Sequence, residues 1–382
     1  MTDFFKQVKN LFDFKKHQQS FDIVFYAESS SYFVYFESII KILTEDFKKN
    51  ICYLTSSSDD PFLSNHNDFV KTYYIGEGSV RTILFSSLFV KIVVMTMPDL
   101  NKYHLRRSNN PVHYVYIPHN MCSTHMVFRK GAFDYYDTFF CVGPYHVKEL
   151  REAEKLYNTK PKELIEIGYT RLDDIYHKGN DLDILDYKQK LNIMIAPSWY
   201  TPGILDTIGK DLIELLLDAG HHVLVRPHRD SRLYIPDKMD QIKNTFSSNN
   251  DFHWLEGRSS NEFLYQSNIL ITDWSGSAFS FSFGLGRPVI FIDLPPKINN
   301  PEYIKLKNEP IEFMLRDKIG SVINLNEITK INEIIENTQI NYKLFSTNIK
   351  ELRNEWIYNF GFSAYKGAEY LSNLSNSIQS NF

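Results

Sequence analysis

The chain has 382 residues, 43% hydrophobic and 15% aromatic, with a formal net charge of -4 at pH 7. This length suffices for two domains with real cores, and the composition excludes a disordered or fibrous protein. The charge gives no support to a general nucleic-acid binder, so we expect no nucleic-acid partner.

Cysteines and hydropathy indicate the compartment. Cys52, Cys122 and Cys141 are scattered and lack metal-site spacing, which favours a reduced environment. The N-terminus lacks the features of a signal peptide, and no stretch reaches the roughly 18 apolar residues of a membrane-spanning helix. We therefore expect a cytoplasmic protein.

Residues 1–20 predict an amphipathic helix, with apolar residues at helical spacing among four lysines: Phe4, Phe5, Val8, Leu11 and Phe12. Such a helix can lie on the inner face of an anionic membrane, as in a peripheral membrane protein. It can equally pack its apolar stripe onto the domain that follows, and the sequence leaves both interpretations open.

Residues 21–175 predict a first α/β domain. Apolar runs indicate strands at 21–26, 51–54, 71–75, 91–96, 112–117, 137–141 and 163–168, with helices at 35–47, 81–89 and 144–156. Strands that alternate with helices predict a mostly parallel sheet covered on both faces.

A charged segment, residues 176–190, predicts a linker because it has little to bury. Alternation then restarts in a second domain, residues 191–350. Its predicted strands are 191–196, 222–225, 252–254, 269–271 and 289–292, and its helices 206–219, 239–247 and 260–267. Residues 351–382 predict C-terminal helices, with a long final helix at 364–378.

The stretch 268–293 carries the clearest functional signal. A buried strand ends at Thr272-Asp273-Trp274-Ser275-Gly276-Ser277, and a helix follows. Ligands bind at the carboxyl ends of strands in such sheets, and a helix N-terminus rich in Ser and Gly suits a phosphate.

Other predicted strand ends also carry reactive or anion-binding side chains. Glu28, Ser29 and His119 follow strands of the first half, and Ser198, Arg226 and His228 follow strands of the second. If the sheets are parallel, the second-half turns converge at one edge, where Arg226 and His228 would bind a diphosphate.

These residues also have structural interpretations. His119 is compatible with a partly buried histidine that bonds a backbone carbonyl. Asp273 and Ser275 are compatible with helix capping. Walker-type, Gly-x-Gly-x-x-Gly, His-Glu-x-x-His and Gly-x-Ser-x-Gly motifs are absent from the sequence, and we expect neither a metal site nor a cofactor.

Four motifs resemble, in order, those of the CDP-glycerol glycerophosphotransferases, the teichoic-acid primases and polymerases. Residues 270–277 resemble that family's Ile-Thr-Asp-Tyr-Ser-Ser, Ala196-Pro197-Ser198-Trp199 its Ala-Pro-Thr-Trp, Arg226-Pro227-His228 its Arg-x-His, and residues 286–291 its Arg-Pro-Ile-Ile-Phe. Ile117-Pro118-His119 is similar to its strand-end histidine. Three positions depart from the pattern: Asn120 replaces Gly, Tyr200 replaces Arg, and Gly276 replaces Ser.

The resemblance implies a GT-B fold, with two Rossmann-like domains facing a central cleft and a C-terminal helix that crosses back to the first domain. It implies an acceptor site in the first domain, with His119 as the base; we place that acceptor site near the strand-end residues Glu28 and Ser29. It implies a donor site in the second domain, where His228 and Asp273, Ser275 and Ser277 contact the phosphates; we add Ser198, Arg226 and Gly276 to that donor site.

The function expected is transfer of glycerol phosphate from CDP-glycerol to a glycan or lipid-linked acceptor, in synthesis of a capsule, teichoic acid-like polymer or lipopolysaccharide. Two alternatives remain open. One is a GT-B glycosyltransferase that uses a CMP- or UDP-linked sugar, and the other is a non-catalytic carbohydrate-binding protein with the same fold.

Overall fold

The computed structural model describes residues 2–65, 67–103, 105–180, 190–256 and 260–378. Within these ranges the chain forms two sheets. The strands of the first are β1 (Ile23–Ala27), β2 (Ile51–Thr55), β3 (Val70–Tyr74), β4 (Ile92–Met95), β5 (His113–Tyr116), β6 (Thr138–Cys141) and β7 (Glu163–Glu166). Those of the second are β8 (Asn192–Ile195), β9 (His222–Val225), β10 (Phe252–Trp254), β11 (Ile269–Thr272), β12 (Val289–Asp293) and β13 (Gly320–Asn324).

The helices cover both sheets. The helices that precede the second sheet are α1 (Thr2–His17), α2 (Glu37–Glu45), α3 (Ser79–Ser86), α4 (Pro144–Tyr157) and α5 (Thr170–Asn180). The remainder are α6 (Ile204–Thr207), α7 (Gly209–Asp218), α8 (Ser231–Tyr234), α9 (Pro236–Phe246), α10 (Ser260–Gln266), α11 (Ser277–Leu285), α12 (Ile311–Ile319), α13 (Ile331–Ile340), α14 (Tyr342–Trp356) and α15 (Ser363–Ser377).

Both sheets are parallel throughout the described residues. Their strand orders are β3-β2-β1-β4-β5-β6-β7 and β10-β9-β8-β11-β12-β13. The central strands are buried along their whole length, as in β1 and β11, because helices cover both faces of a parallel sheet. The predicted α/β class with two parallel sheets is therefore confirmed.

Two segments differ from the sequence-based expectation. Helix α5 runs to Asn180, so the first part of the predicted linker 176–190 is helical. His177 and Lys178 are exposed, while Leu172 and Ile175 are buried against α11. Residues 181–189 of that prediction lie outside the described ranges. Strand β13 was missed because this edge strand is only partly buried and lacks a continuous apolar run.

The two ends of the described chain pack on the first sheet's half. Phe14 of α1 is fully buried in that core. Ala368 and Leu371 of α15 are buried in one cluster with Ile39 and Phe140, and the Tyr370 hydroxyl lies 2.9 Å from the Thr138 hydroxyl. The C-terminal helix therefore crosses back to the first half, as the predicted GT-B fold requires.

Candidate active site

A cavity of about 1100 Å³ lies between the carboxyl ends of the two sheets. Its first wall, which we call the N-wall, consists of residues 29–35 and 60–65. Its second, the C-wall, consists of residues 196–197, 226–232 and 255–256 with Met239, Ser275 and Ser277, and Arg171 of α5 lies beside it. Five residues predicted for the site line this one cavity: Ser29, Arg226, His228, Ser275 and Ser277.

The turn after β11 offers a phosphate-binding arrangement. The Ser275 hydroxyl lies 2.8 Å from the Ser277 hydroxyl and accepts a hydrogen bond from the Ser277 N–H at 3.3 Å. Helix α11 begins at Ser277, and the first N–H groups of a helix lack partners within it. The Ala278 N–H also has a partner, the Ser275 carbonyl at 3.1 Å. The two hydroxyls, at the positive end of the helix dipole, are therefore what this turn offers a phosphate oxygen.

Asp273 and Ser198 are placed differently. Asp273 is fully buried, and its carboxylate accepts hydrogen bonds from the Ser198 N–H at 2.8 Å and the Trp274 N–H at 2.7 Å. Burial raises the pKa of Asp273, and these backbone N–H groups oppose that change. The side chain thus joins the turns after β8 and β11, which assigns it a positioning role.

Positive charge is concentrated on the C-wall. Burial lowers the pKa of Arg226, and the nearby charge of Arg171 lowers it further. Neither guanidinium belongs to an ion pair within the described ranges. Two neighbouring cations without a carboxylate are favourable only when an anion lies between them, because like charges repel strongly in a partly desolvated site.

His119 lies behind the N-wall, half-buried among the rings of Tyr32, Tyr35 and Phe128. Its Nδ1 is 3.2 Å from the carbonyl oxygen of Thr96. A carbonyl only accepts, so Nδ1 carries the proton and Nε2 keeps its lone pair. Burial lowers the pKa of His119 to about 4, and the charge of Lys297 lowers it too. The ring is therefore neutral at pH 7, with Nε2 able to accept a proton.

His228 has the opposite arrangement. The Asp230 N–H donates to its Nδ1 at 3.1 Å, so Nδ1 is the acceptor and Nε2 carries the proton. Burial and the cations Lys297, Arg229 and Arg226 lower the pKa of His228 to about 4, while Asp230 opposes them. Solvent moderates the effect, since 40% of the side chain is exposed. His228 is thus a neutral hydrogen-bond donor.

Lys297 is a site residue that the sequence-based reasoning missed. Its ammonium lies 4.1 Å from the centre of the Trp199 ring, and its charge acts on both His119 and His228. The Tyr200 hydroxyl fixes this loop by donating to the Pro295 carbonyl at 2.8 Å. The available signal was its position just after β12, the same kind of strand end as the other predicted turns.

The two halves of the chain touch at Ser29 and at Gly276. Arg229 donates to the Ser29 hydroxyl at 3.4 Å across the cleft. A Cβ atom added to Gly276 would lie 2.9 Å from the Cys122 Sγ and 3.5 Å from the Asn120 Cβ. Two departures from the family pattern, Asn120 and Gly276, therefore face each other, and this close approach leaves little room for a side chain at position 276.

Glu28 lies at the base of the N-wall. Burial raises its pKa to about 7, with Arg81 and Arg229 opposing and Glu77 contributing. A carboxyl that titrates near neutral pH is a second candidate proton acceptor in this wall.

Two further observations concern metal binding and membrane-spanning helices. Within the described ranges, no cluster of three or more His, Cys, Asp or Glu side chains has the arrangement of a metal site. In the same part of the chain, none of the helices combines the length and apolar character needed to cross a membrane.

Residues 129–295 match the family model described as CDP-Glycerol:Poly(glycerophosphate) glycerophosphotransferase. This range includes the donor-side turns around Ser198, His228 and Ser275. It begins after His119 and ends before Lys297. The resemblance inferred from the sequence is confirmed over these residues. A comparison with curated proteins finds no match.

Solved structures share the fold over nearly the whole chain. The wall teichoic acid polymerase TagF has a TM-score of 0.63 at 16% identity, covering 99% of this chain and 98% of that one. A TagF variant soaked with CDPG gives 0.64 at 16% identity, over 98% and 94%. The UDP-GlcNAc 2-epimerase from Neisseria meningitidis bound to UDP-GlcNAc gives 0.57 at 14% identity, over 92% and 99%. At these identities the similarity shows the fold, which is GT-B as predicted.

Proposed function

We propose that this chain is a transferase of bacterial surface-polymer synthesis that moves glycerol phosphate from CDP-glycerol to an acceptor hydroxyl. The family match over residues 129–295 supports the donor, as does the shared fold with TagF, which was soaked with CDPG. The observation that carries the proposal is a pair of neutral histidines in opposite tautomers, with His228 lining the cavity and His119 behind its N-wall.

In the proposed reaction the acceptor oxygen attacks the phosphorus that bears glycerol. The bond from this phosphorus to the bridging oxygen breaks, and CMP leaves. The acceptor proton passes to Nε2 of His119, the free lone pair in the site. Catalysis then consists mostly of positioning and charge stabilisation, as in other phosphoryl transfers.

The C-wall would hold the diphosphate. Nε2–H of His228 donates to a phosphate oxygen, and Arg226 and Lys297 offset the charge that develops on CMP. The hydroxyls of Ser275 and Ser277 bind the second phosphate. Beyond them, the cavity end at Met239, Leu255 and Glu256 provides space for the nucleoside.

The test is incubation of the purified protein with CDP-glycerol, CMP-sugars and UDP-sugars, followed by mass spectrometry of both products. We expect CMP release from CDP-glycerol together with an acceptor heavier by one glycerol phosphate. Release of UDP or transfer of a sugar would instead support the glycosyltransferase alternative. That alternative is considered because the UDP-GlcNAc 2-epimerase, which shares the fold, was solved with a nucleotide sugar bound. The variant His119→Gln serves as the inactive control.

We also propose that helix α1 rests on an anionic membrane surface. Leu11 and Phe14 pack on the core, whereas Phe5 and Phe12 are 65% and 70% exposed. Positions 5, 9, 12 and 16, which read Phe, Lys, Phe and Lys, share one outward helical face. Aromatic residues alternating with lysines suit the interface of an anionic bilayer.

Co-sedimentation with vesicles tests this contact. The protein should bind phosphatidylglycerol vesicles, and Phe5→Ser with Phe12→Ser should weaken binding at least tenfold by removing the apolar anchors. The matched control is Phe69→Ser, a partly exposed phenylalanine outside α1. Equal sedimentation with neutral phosphatidylcholine vesicles would contradict the proposal.

A further inference from the structure

The two walls of the cavity differ in charge. The C-wall presents Arg226, Arg229 and Arg232, and Arg171 lies beside it. Among the described residues that line the N-wall there is neither a lysine nor an arginine. Arg81 lies deeper on this side, where it donates to the Tyr26 hydroxyl at 3.1 Å and its charge acts on Glu28. Arg229 and Arg232 are paired with carboxylates, and Arg229 also reaches Ser29 of the N-wall. Arg226 and Arg171, which belong to no ion pair in the described ranges, both lie on the donor side.

The N-wall carries a carboxylate instead. Asp60 is buried; its Oδ2 accepts from the Tyr53 hydroxyl at 2.9 Å and its Oδ1 from the Phe62 N–H at 3.0 Å. These hydrogen bonds fix the carboxylate where it faces no cationic partner, since none of the ion pairs in the described ranges includes it. A phosphate placed against this wall would meet negative charge at short range in a partly desolvated cleft.

The same wall has an aromatic surface. The rings of Phe33 and Phe62 stack with centroids 4.1 Å apart, and Tyr53 contacts both edge-on. Hydroxyl and amide groups surround this pair at Ser30, Ser31, Ser64 and Asn65. An aromatic face with neutral hydrogen-bonding groups around it matches a sugar ring, which has an apolar face and a rim of hydroxyls.

The size of the cavity leaves room for such a ring. Ligand pockets commonly enclose roughly 300–1,000 Å³, and this cavity of about 1100 Å³ spans both walls. A nucleotide-linked donor on the C-wall therefore leaves the N-wall free for a second ligand.

We infer that the N-wall binds an uncharged saccharide end as the acceptor, so that the enzyme adds a single unit and does not extend a polyol phosphate chain. This inference rests on the proposed function. After one transfer the acceptor ends in glycerol joined through a phosphodiester. A second transfer would place that anion against the wall that carries Asp60 and has neither a lysine nor an arginine of its own among its described lining residues. The product is therefore a poor acceptor.

Acceptor binding tests the inference independently of the donor. Ligand-observed NMR would compare a neutral alkyl disaccharide glycoside with the same glycoside ending in glycerol phosphate. We expect the neutral compound to bind at least tenfold more tightly. Equal or tighter binding of the phosphorylated compound would overturn the inference, and so would the absence of binding by both. Failure to turn over CDP-glycerol would instead overturn the proposed function alone.

Variants of the wall sharpen the test. Phe62→Ala should weaken binding of the neutral glycoside about tenfold by removing the ring face, with CMP binding unchanged, whereas the control Phe69→Ala should change neither. Ser64→Lys adds a cation to the N-wall and should narrow the preference for the neutral compound at least fivefold. An unchanged preference in Ser64→Lys would contradict the claim that charge on the N-wall excludes the phosphorylated acceptor.

The length of the product is a separate test. With CDP-glycerol as donor, the wild-type product should carry one glycerol phosphate, and long polymers would disprove single addition.

Discussion

His119 and His228 follow similar motifs in the two halves of the molecule, at different positions in the two sheets, and yet have opposite chemistry. Each follows a proline at the carboxyl end of a parallel strand, in Ile117-Pro118-His119 and Arg226-Pro227-His228. In the first, a carbonyl accepts from Nδ1; in the second, an N–H donates to Nδ1. One backbone group therefore decides whether the outer nitrogen accepts or donates a proton, and a repeated motif need not have a repeated role.

The largest effect should come from His119→Gln. Glutamine preserves size and hydrogen bonding but cannot take up a proton, so we expect transfer to fall about 10²–10⁴-fold. Circular dichroism and CMP binding should stay unchanged. Wild-type turnover by this variant would remove His119 from the mechanism, and the proposed difference in role between the two histidines would fail.

His228 should tolerate the same substitution better. His228→Ala removes the donor and should cost roughly 10²-fold in turnover, while His228→Gln keeps an N–H and should recover a large part of it. Steady-state kinetics of the two variants provide the measurement. Equal loss in both would show that His228 does more than donate a hydrogen bond.

Lys297→Met affects both histidines, because the Lys297 charge lowers the pKa of each. We expect a roughly tenfold loss of turnover from the missing charged contact. The pKa of His119 should also rise toward its ordinary value, which moves the acid limb of kcat/KM to higher pH. The control Lys305→Met removes an exposed lysine paired with Glu302 and should leave the profile unchanged.

Gly276→Ser tests whether the contact between Gly276 and Cys122 keeps the two halves of the chain, and with them the two histidines, correctly positioned. The new Cβ would meet the Cys122 Sγ at 2.9 Å, and such overpacking costs about 1–3 kcal/mol of folding free energy. Thermal denaturation should show a lower Tm, and turnover should fall several-fold. Adding Cys122→Ala should restore part of both quantities, whereas adding Cys52→Ala, remote from this contact, should not.

Glu28→Gln should have the smallest effect on turnover and separates Glu28 from His119 as the base. The pKa of Glu28 is raised to about 7 in the folded protein, so its ionisation destabilises the fold increasingly as the pH rises from about 4.5 to 7. At pH 8 the variant should be more stable than the wild type by on the order of 1–3 kcal/mol. At pH 4 the difference should vanish. Loss of transfer comparable to that in His119→Gln would assign the base to Glu28.

The sequence predicted most of the central strands because continuous apolar runs are distinctive in parallel sheets. It failed where burial is partial. Strand β13 has a mixed pattern, and α5 buries only one stripe, so its charges suggested a linker. Both elements take their structure from neighbours that local sequence does not reveal.

The candidate site was predicted in the same uneven way. Strand ends identified His119, Arg226, His228 and the 272–277 turn, since topology brings such ends together. Lys297 was not predicted because its position depends on the loop after β12, which a hydrogen bond from Tyr200 to Pro295 holds in place. The tautomer of His119 also could not be predicted, because its partner Thr96 lies 23 residues away.

The return of α15 to the first sheet has a consequence for biosynthesis. Ala368 and Leu371 complete a cluster that includes Ile39 and Phe140, so the last helix supplies part of the core of the half made first. Domains commonly fold in the order in which the ribosome releases them. Here the earlier half stays incomplete, with that apolar face exposed, until the later half has emerged from the ribosome.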